Sequence, residues 1–245
     1  MDHLIVDDAD GVRTITINRP GVKNALTAAM RTEFCALIAD ADADDGTRAI
    51  IVTAVDPVFS AGVDFKEVAA GTGRASSTNP GVALRAATTP TVCAVNGACV
   101  TGALELALSC TFIVASERAR FADTHARLDV VAAWGLTALL PRAVGVRKAA
   151  ELSITGNFVD AADALRLGLV NHVVPHEELM PFTRWLVDDI APTPAVGHVL
   201  ELYRRGEGLP LDDALALEAE HAATQQVDPA AFGAAGAAAA ARPSR

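Results

Sequence analysis

The chain has 245 residues, of which 51% are hydrophobic and 20% are charged, so it can bury a sizeable core and is not disordered over its whole length. Its 30 acidic and 20 basic residues give a net charge of −10, which argues against nucleic acid or an anionic membrane surface as the main partner. This balance still allows a phosphorylated small molecule to be held by a local cluster of basic residues.

The first part of the chain alternates between strand and helix patterns. Residues 4–6 and 12–17 flank a short polar turn, and the second run alternates apolar and polar residues, which predicts a β-hairpin. Apolar residues recur at helical spacing over 30–41, and 49–52 is typical of a buried strand. Because strand, helix and strand follow in this order, we expect right-handed parallel crossovers and an α/β core.

Two loops follow this strand. Residues 59–67 form a tight loop that runs into a short helix, with Ser60-Ala61-Gly62 at its centre. Residues 71–80 are polar and rich in Gly, Ser and Thr, which predicts a mobile segment. Such a segment either covers a site or is an idle surface loop.

The stretch from residue 92 to residue 106 organises the rest. It predicts a buried strand over 92–95, a break at Asn96-Gly97, and a helix from about residue 103. Gly102 then lies where the helix begins, with backbone N–H groups free to stabilise negative charge on a carbonyl oxygen. Glu105 lies in or just beyond the same turn, where it either serves chemistry or complements the helix dipole.

The remaining elements suggest one large domain with a helical extension. We expect strands at 112–115 and 170–174, and helices at 147–154, 161–167, 196–204 and 211–225. Pro192 and Pro194 separate the body from the last helices. The predicted organisation is a core domain over 1–191, a helical region over 192–228 and an Ala-rich low-complexity tail over 229–245.

Several chemistries and locations are disfavoured. Pro175 lies between His172 and His176 and breaks the helix that would join them, so we expect surface histidines and no metal site. Serine-hydrolase, nucleotide-phosphate and dinucleotide motifs are absent. The N-terminus lacks a signal-peptide pattern and no apolar run spans a membrane, which predicts a soluble cytoplasmic protein. Its cysteines are expected to be buried free thiols: Cys35, Cys93, Cys99 and Cys110.

Four stretches, in order and spacing, resemble the enoyl-CoA hydratase/isomerase (crotonase) family over roughly the first three quarters of the chain. They are Asn18-Arg19-Pro20 with Lys23-Asn24-Ala25-Leu26, Phe59-Ser60-Ala61-Gly62-Val63-Asp64, Asn96-Gly97 through Gly102 to Glu105, and Phe121-Ala122-Asp123 leading to Trp134-Gly135. The resemblance implies an α/β crotonase-like fold of repeated ββα units in two nearly perpendicular sheets. It also implies C-terminal helices that support a homotrimer or a dimer of trimers.

The resemblance implies an acyl-CoA thioester as substrate, with coenzyme A as part of that substrate rather than a separate cofactor. Two backbone N–H groups would hold the oxygen of an enolate-like state, and the family motifs match them to Ala61 and Gly102. Lys23 falls where members carry a basic residue near the CoA phosphates, and it is equally compatible with a solvated lysine. The adenine and pantetheine groove matches Ala25, Ala61, Val63, Asp64 and Phe65.

Glu105 matches the first of two catalytic glutamates, but His125 occupies the position of the second. An imidazole titrates near neutrality and could in principle replace the carboxylate, which allows an enoyl-CoA hydratase that uses both groups. The same substitution is compatible with an isomerase, thioester hydrolase or decarboxylase that uses one acid/base group. A third alternative is a non-catalytic acyl-CoA-binding protein. Residues 129–133 also differ from the Gly- and Pro-bearing turn that is usual in hydratases, so the resemblance does not predict the acyl-tail pocket or the choice of substrate.

Overall fold

The computed structural model describes residues 3–71, 78–225, 232–233 and 236. Its strands are β1 (Leu4–Ala9), β2 (Val12–Ile17), β3 (Ala49–Ala54), β4 (Thr91–Val95), β5 (Ala98–Val100), β6 (Phe112–Ser116), β7 (Arg120–Ala122), β8 (Val159–Asp160) and β9 (His172–Val174). Its helices are α1 (Ala28–Ala43), α2 (Phe65–Ala69), α3 (Pro80–Ala86), α4 (Gly102–Ser109), α5 (Leu136–Val144), α6 (Val146–Thr155), α7 (Ala161–Arg166), α8 (Leu179–Asp188), α9 (Ala195–Gly206) and α10 (Leu211–Thr224). Short 3₁₀ turns occur at Pro20–Val22, Ala126–Leu128 and His176–Glu178.

Within the described ranges the larger sheet has six strands in the order β1-β2-β3-β4-β6-β9. The β1–β2 hairpin is antiparallel, and every later pairing in this sheet is parallel. The hairpin and the parallel crossovers predicted from the sequence are therefore confirmed. Helix α1 begins at Ala28, after Thr27 accepts a hydrogen bond from the Met30 N–H as its N-cap.

The central strands of this sheet are buried on both faces, which is why their sequences are continuous apolar runs. Ile50 and Val52 of β3 face the larger hydrophobic cluster. Ile51 lies on the opposite face, in a second cluster with Leu179 and Val187 of α8. Helix α8 was not predicted from the sequence, yet it covers one face of the main sheet.

A smaller sheet positions the backbone around the start of the helix that begins at Gly102. Within the part of the chain described, β5, β7 and β8 form it in that order, and isolated parallel bridges link Leu26 to Val63 and Ser60 to Cys99. Gly102 is the first residue of α4, as predicted. The expectation that the Asn96-Gly97 turn leads directly into this helix was wrong, because the three residues of β5 pair with β7 in between.

Other expectations fall partly outside what can be described. Residues 72–77 of the predicted polar loop lie outside the described residues, and Pro80 at its end begins α3. Most of the Ala-rich tail over 229–245 also lies outside them. All four cysteines are free: Cys93 and Cys99 are buried as expected, whereas Cys35 and Cys110 are only half-buried.

The chain divides into two compact units, residues 1–197 and 198–245. The first unit contains both sheets. The second contains α10, and in it the rings of His198 and His221 pack edge to face with centroids 4.7 Å apart. Among the described residues no helix is long and apolar enough to cross a membrane.

Candidate active site

The start of α4 brings a backbone amide to the site. Gly102 follows Thr101, whose backbone has φ 56° and ψ −116°, a conformation that residues with a side chain rarely adopt. A methyl group added at Gly102 would lie 3.1 Å from Cζ3 of Trp134 and 3.5 Å from Cγ2 of Val63. Glycine therefore lets this helix start lie against both side chains.

A second amide comes from the 60–63 segment, and it is not the one that the sequence predicted. The Ala61 N–H donates to the carbonyl of Lys23 at 3.0 Å, so this amide is already used within the protein. In the parallel bridge, the Leu26 N–H donates to the Gly62 carbonyl and the Asp64 N–H donates to the Leu26 carbonyl. Because the neighbours of Val63 make these bonds, the amide of Val63 itself points away from Leu26.

The two segments approach each other closely at Gly62. This residue has φ +89°, and a methyl group on it would lie 3.0 Å from both the amide nitrogen of Gly102 and the carbonyl oxygen of Val100. Within the described residues, neither the Val63 N–H nor the Gly102 N–H has an acceptor. The site therefore holds two neighbouring unsatisfied backbone donors beside a cavity.

Glu105 lies one turn into α4 and is 2% exposed. Its Oε1 accepts hydrogen bonds from the backbone N–H of Trp134 at 2.6 Å and of Leu136 at 3.3 Å. Burial raises the pKa of this carboxyl group, and the two hydrogen bonds oppose the increase only in part. Since Oε1 is held by the backbone, Oε2 is the oxygen left to act on a ligand.

His125 is the group that faces this oxygen, with Nε2 3.5 Å from Oε2 of Glu105. Its other ring nitrogen, Nδ1, lies 2.7 Å from Oδ1 of Asp123. Asp123 is buried, and burial by itself raises the pKa of its carboxyl group. Hydrogen bonds from His125 and Ser153 more than offset that effect, so the pKa is lowered overall. The result is a row of carboxylate, imidazole and carboxyl groups.

Glu105 and His125 line a cavity of about 420 Å³, whereas Asp123 does not. Its walls are mainly apolar, and Glu105 and His125 are among the titratable side chains that line it. The other described lining residues are Arg31, Ala61, Val63, Phe65, Val68, Thr78, Asn79, Val100, Thr101, Gly102, Thr124, Leu128, Val130, Val131, Ala133 and Trp134. No group of three or more His, Cys, Asp or Glu side chains within the described ranges is arranged to hold a metal ion.

The residues predicted to bind CoA are in mixed positions. Ala61, Val63 and Phe65 line the cavity, and Phe65 is 66% exposed at its mouth. Lys23 is exposed and does not line the cavity. Asp64 does not line it either.

Asp64 serves the fold instead. The Arg19 side chain donates to its carboxylate at 2.9 Å, and this hydrogen bond is the main reason that the pKa of Asp64 is lowered. The same guanidinium nitrogen donates to the carbonyl oxygen of Ala25 at 2.6 Å. Arg19 therefore joins the segment before Leu26 to the one after Val63, and Asp64 and Ala25 hold the Val63 amide in place.

Asp123 and Trp134 belong to the sequence motifs, and the structure gives each of them a contact in the site that the motifs did not predict. The Asp123 carboxylate accepts the backbone N–H of His125 at 3.1 Å, a turn that the Asp-Thr-His spacing could have indicated. Trp134 donates its N–H to Glu105, and its carbonyl accepts a hydrogen bond from Arg85 at 2.9 Å. Its ring also lies 5.6 Å from the guanidinium carbon of Arg31.

Comparison with known proteins gives a consistent result. A model of the family "Enoyl-CoA hydratase/isomerase" matches residues 7–228. A probable peroxisomal enoyl-CoA hydratase of Arabidopsis thaliana is 36% identical over 220 residues, which cover 88% of this chain and 83% of that protein. A short-chain-enoyl-CoA hydratase of Clostridium acetobutylicum is 33% identical and covers 90% and 88% of the two chains.

Solved structures agree. The crystal structure of an enoyl-CoA hydratase from Mycobacterium tuberculosis is 46% identical, with a TM-score of 0.75 and coverage of 83% of this chain and 88% of that one. An enoyl-CoA hydratase structure from Bacillus anthracis gives a TM-score of 0.85 at 30% identity, with 89% of each chain covered. The two sheets and C-terminal helices expected from the sequence are thus also those of solved relatives.

Proposed function

Because this chain belongs to the enoyl-CoA hydratase/isomerase family, we propose that it adds water to the double bond of a 2-enoyl-CoA thioester. The observation that carries the proposal is the pair formed by Glu105 and His125, 3.5 Å apart on one cavity wall beside two unsatisfied amides. One group can take a proton from water while the other gives a proton to carbon. Hydration needs both operations.

The amides of Val63 and Gly102 would bind the thioester oxygen. We assign the first donor to Val63 instead of Ala61, since the Ala61 N–H is used by Lys23. Donors that are already oriented stabilise an oxygen as negative charge develops on it, and they need no rearrangement during the reaction. The pantetheine arm would leave the cavity past exposed Phe65, with Lys23 as the candidate partner for a CoA phosphate.

The proton balance assigns a role to each side chain. The water oxygen bonds to C3, and the water proton passes to Nε2 of His125. The electron pair of the C2–C3 bond moves to the thioester oxygen. Glu105, whose raised pKa favours its protonated form, then gives its proton to C2. The proton on His125 returns to Glu105 across the gap between them, so both groups are ready for the next cycle.

The central test is Glu105→Gln, which keeps an oxygen for the Trp134 and Leu136 amides but cannot give up a proton in the same way. We expect kcat for a short 2-enoyl-CoA to fall by about 10²- to 10⁴-fold, with acyl-CoA affinity changed by less than about threefold. The matched control is Glu151→Gln, which removes an exposed carboxylate on α6 that pairs with Lys148. Turnover by Glu105→Gln at the rate of the control would contradict the proposal.

Product analysis separates hydration from its alternatives. A 3-hydroxyacyl-CoA supports the proposal. A shifted double bond without uptake of water would instead assign an isomerase, and binding of every acyl-CoA tested without conversion would assign a binding protein. Trimer formation through the C-terminal helices and a cytoplasmic location stay predictions of the sequence, to be tested by mass measurement in solution and by fractionation.

A further inference from the structure

We propose that Asp123 is a positioning residue that holds the ring of His125 with a proton on Nδ1 and the Nε2 lone pair directed at Glu105. The kinetic part of this inference rests on the hydration proposed above. The structural part concerns only which ring nitrogen carries the proton. It can therefore be tested whether or not the chain hydrates an enoyl thioester.

The geometry that carries the inference is a double contact. Oδ1 of Asp123 accepts the backbone N–H of His125 at 3.1 Å and lies 2.7 Å from Nδ1 of the same residue. An ionised carboxylate has no hydrogen to donate, so the ring nitrogen must be the donor. In the neutral ring the proton then lies on Nδ1, and Nε2 is left as an acceptor.

The surroundings keep Asp123 in this state. Its side chain is nearly fully buried, and the hydroxyl of Ser153 on α6 provides a further hydrogen bond to it. The titratable groups that face the ring among the described residues are Asp123 on one side and Glu105 of α4 on the other. A negative charge fixed behind the ring also stabilises the imidazolium that forms when Nε2 takes a proton from water.

The location of the ring proton determines whether His125 can accept a proton from water. If the ring proton moved to Nε2, His125 would present a donor to the cavity and could not accept the water proton. Within the part of the chain that the structure describes, the hydrogen-bond partner of Nδ1 is the Asp123 carboxylate. The reaction would then depend on a residue whose carboxylate lies behind the ring and does not line the cavity.

The first experiment reads the ring directly. Nitrogen-15 NMR of the wild-type enzyme should show His125 in the Nδ1–H form, with its signals assigned by their absence in His125→Gln. In Asp123→Asn, we expect the Nε2–H form to become populated, because an amide can donate to Nδ1. A wild-type ring in the Nε2–H form would overturn the inference, even if the variant failed to fold.

The second experiment is kinetic. For Asp123→Asn, we expect kcat to fall by about 100-fold with KM nearly unchanged, and the acid limb of the pH–rate profile to move to lower pH. The control is Asp56→Asn, the same substitution at the carboxylate beside His176, which should change neither. A wild-type enzyme without hydratase activity would refute the proposed function but not the ring assignment. An active Asp123→Asn enzyme with the wild-type rate and pH profile would refute the positioning role.

Discussion

Two histidines of this molecule each lie between two polar partners, yet only one of them meets the cavity. In His125, Nδ1 contacts Asp123 at 2.7 Å, whereas Nε2 is 3.5 Å from Glu105, a distance that leaves it available. In His176 both nitrogens are used at 3.0 Å, Nδ1 by the hydroxyl of Ser116 and Nε2 by the carboxylate of Asp56.

The difference shows what makes a histidine reactive. The group formed by Ser116, His176 and Asp56 has the residue types of a hydrolase triad, but Ser116 is fully buried and none of the three lines the cavity described above. This group joins the end of β6 to the turn that follows β9 and to the segment after β3. A base in reach of a substrate needs one nitrogen free, and only the ring of His125 meets that condition of the two.

The largest expected difference comes from replacing each ring in turn. His125→Gln should lower kcat by about 10²- to 10⁴-fold, because the proposed base is lost, with a small effect on stability. His176→Gln should lower the free energy of unfolding by about 1–3 kcal/mol, because the buried Ser116 hydroxyl loses its hydrogen bond with the ring nitrogen, and leave kcat unchanged. Steady-state rates and urea unfolding of both variants measure the two effects. Equal losses of kcat in the two variants would contradict the assignment of the proposed base to His125 and not to His176.

A smaller difference in stability and kcat is expected between alanine substitutions at two glycines, Gly97 near Asp56 and Gly62 beside Gly102. Gly97, next to the Asn96 that donates to Asp56, would place a methyl group 2.3 Å from the Pro57 carbonyl oxygen. Gly97→Ala should therefore lower the free energy of unfolding by about 3 kcal/mol while the folded fraction keeps its normal kcat. Gly62→Ala should also cost about 1–3 kcal/mol and, in addition, reduce kcat, because it pushes against the Gly102 amide.

These two effects are measured by denaturant titration and by rates normalised to the folded fraction. Gly21, where an added methyl meets nothing within 4 Å, provides the matched Gly→Ala control. A normal kcat in Gly62→Ala would contradict the position that we assign to the Gly102 donor.

The smallest effect is a difference in pH dependence between Glu105 and Asp56. The pKa of Glu105 is raised above its ordinary value of 4.5, so the folded chain holds this proton more tightly than the unfolded chain does. The free energy of unfolding of the wild type therefore falls as pH rises from that value through the raised pKa. Because the Gln side chain does not titrate, the stability of Glu105→Gln relative to the wild type should increase over the same interval.

Asp56 has the opposite sign. Its pKa is lowered from 3.8, first by the hydrogen bond from Asn96, so its contribution to stability is present above 3.8 and is lost as pH falls through the lowered pKa. The loss of stability in Asp56→Asn relative to the wild type should thus be largest at neutral pH and smallest in acid. Urea unfolding at about pH 3 and about pH 7 tests both signs, and parallel pH curves for the two variants would contradict the assignment.

The sequence was informative wherever a residue's environment is set by its own element. The apolar runs at 49–52 and 92–95 identified buried strands because both of their faces are packed. Gly102 at a helix start and Glu105 one turn later followed from helix rules alone. Short strands such as β5, β7 and β8 were not predicted, because two or three residues carry too little pattern and depend on their partners.

The same limit explains the errors at the site. The loop at 60–63 was identified, but Gly62 at φ +89° interrupts its extended backbone, so the directions of the amides on either side of it do not follow from simple alternation. The choice between Ala61 and Val63 depends on the bridge to Leu26, which is distant in the sequence. Helix α8 was missed for a related reason, since Pro181 interrupts a pattern whose apolar positions are recognisable only once the second face of the sheet is known.

The backbone conformation of Thr101 limits the transfer of this turn to another protein. A threonine alone would not choose φ 56° and ψ −116°, and its conformation is imposed by the Thr101 N–H bond to the Ala122 carbonyl and by the hydroxyl contact with Thr124. The direction of the next amide is therefore a property of the assembled sheet. A short peptide cut from this turn, or grafted onto another scaffold without the neighbouring strand, would lose the anion-binding geometry.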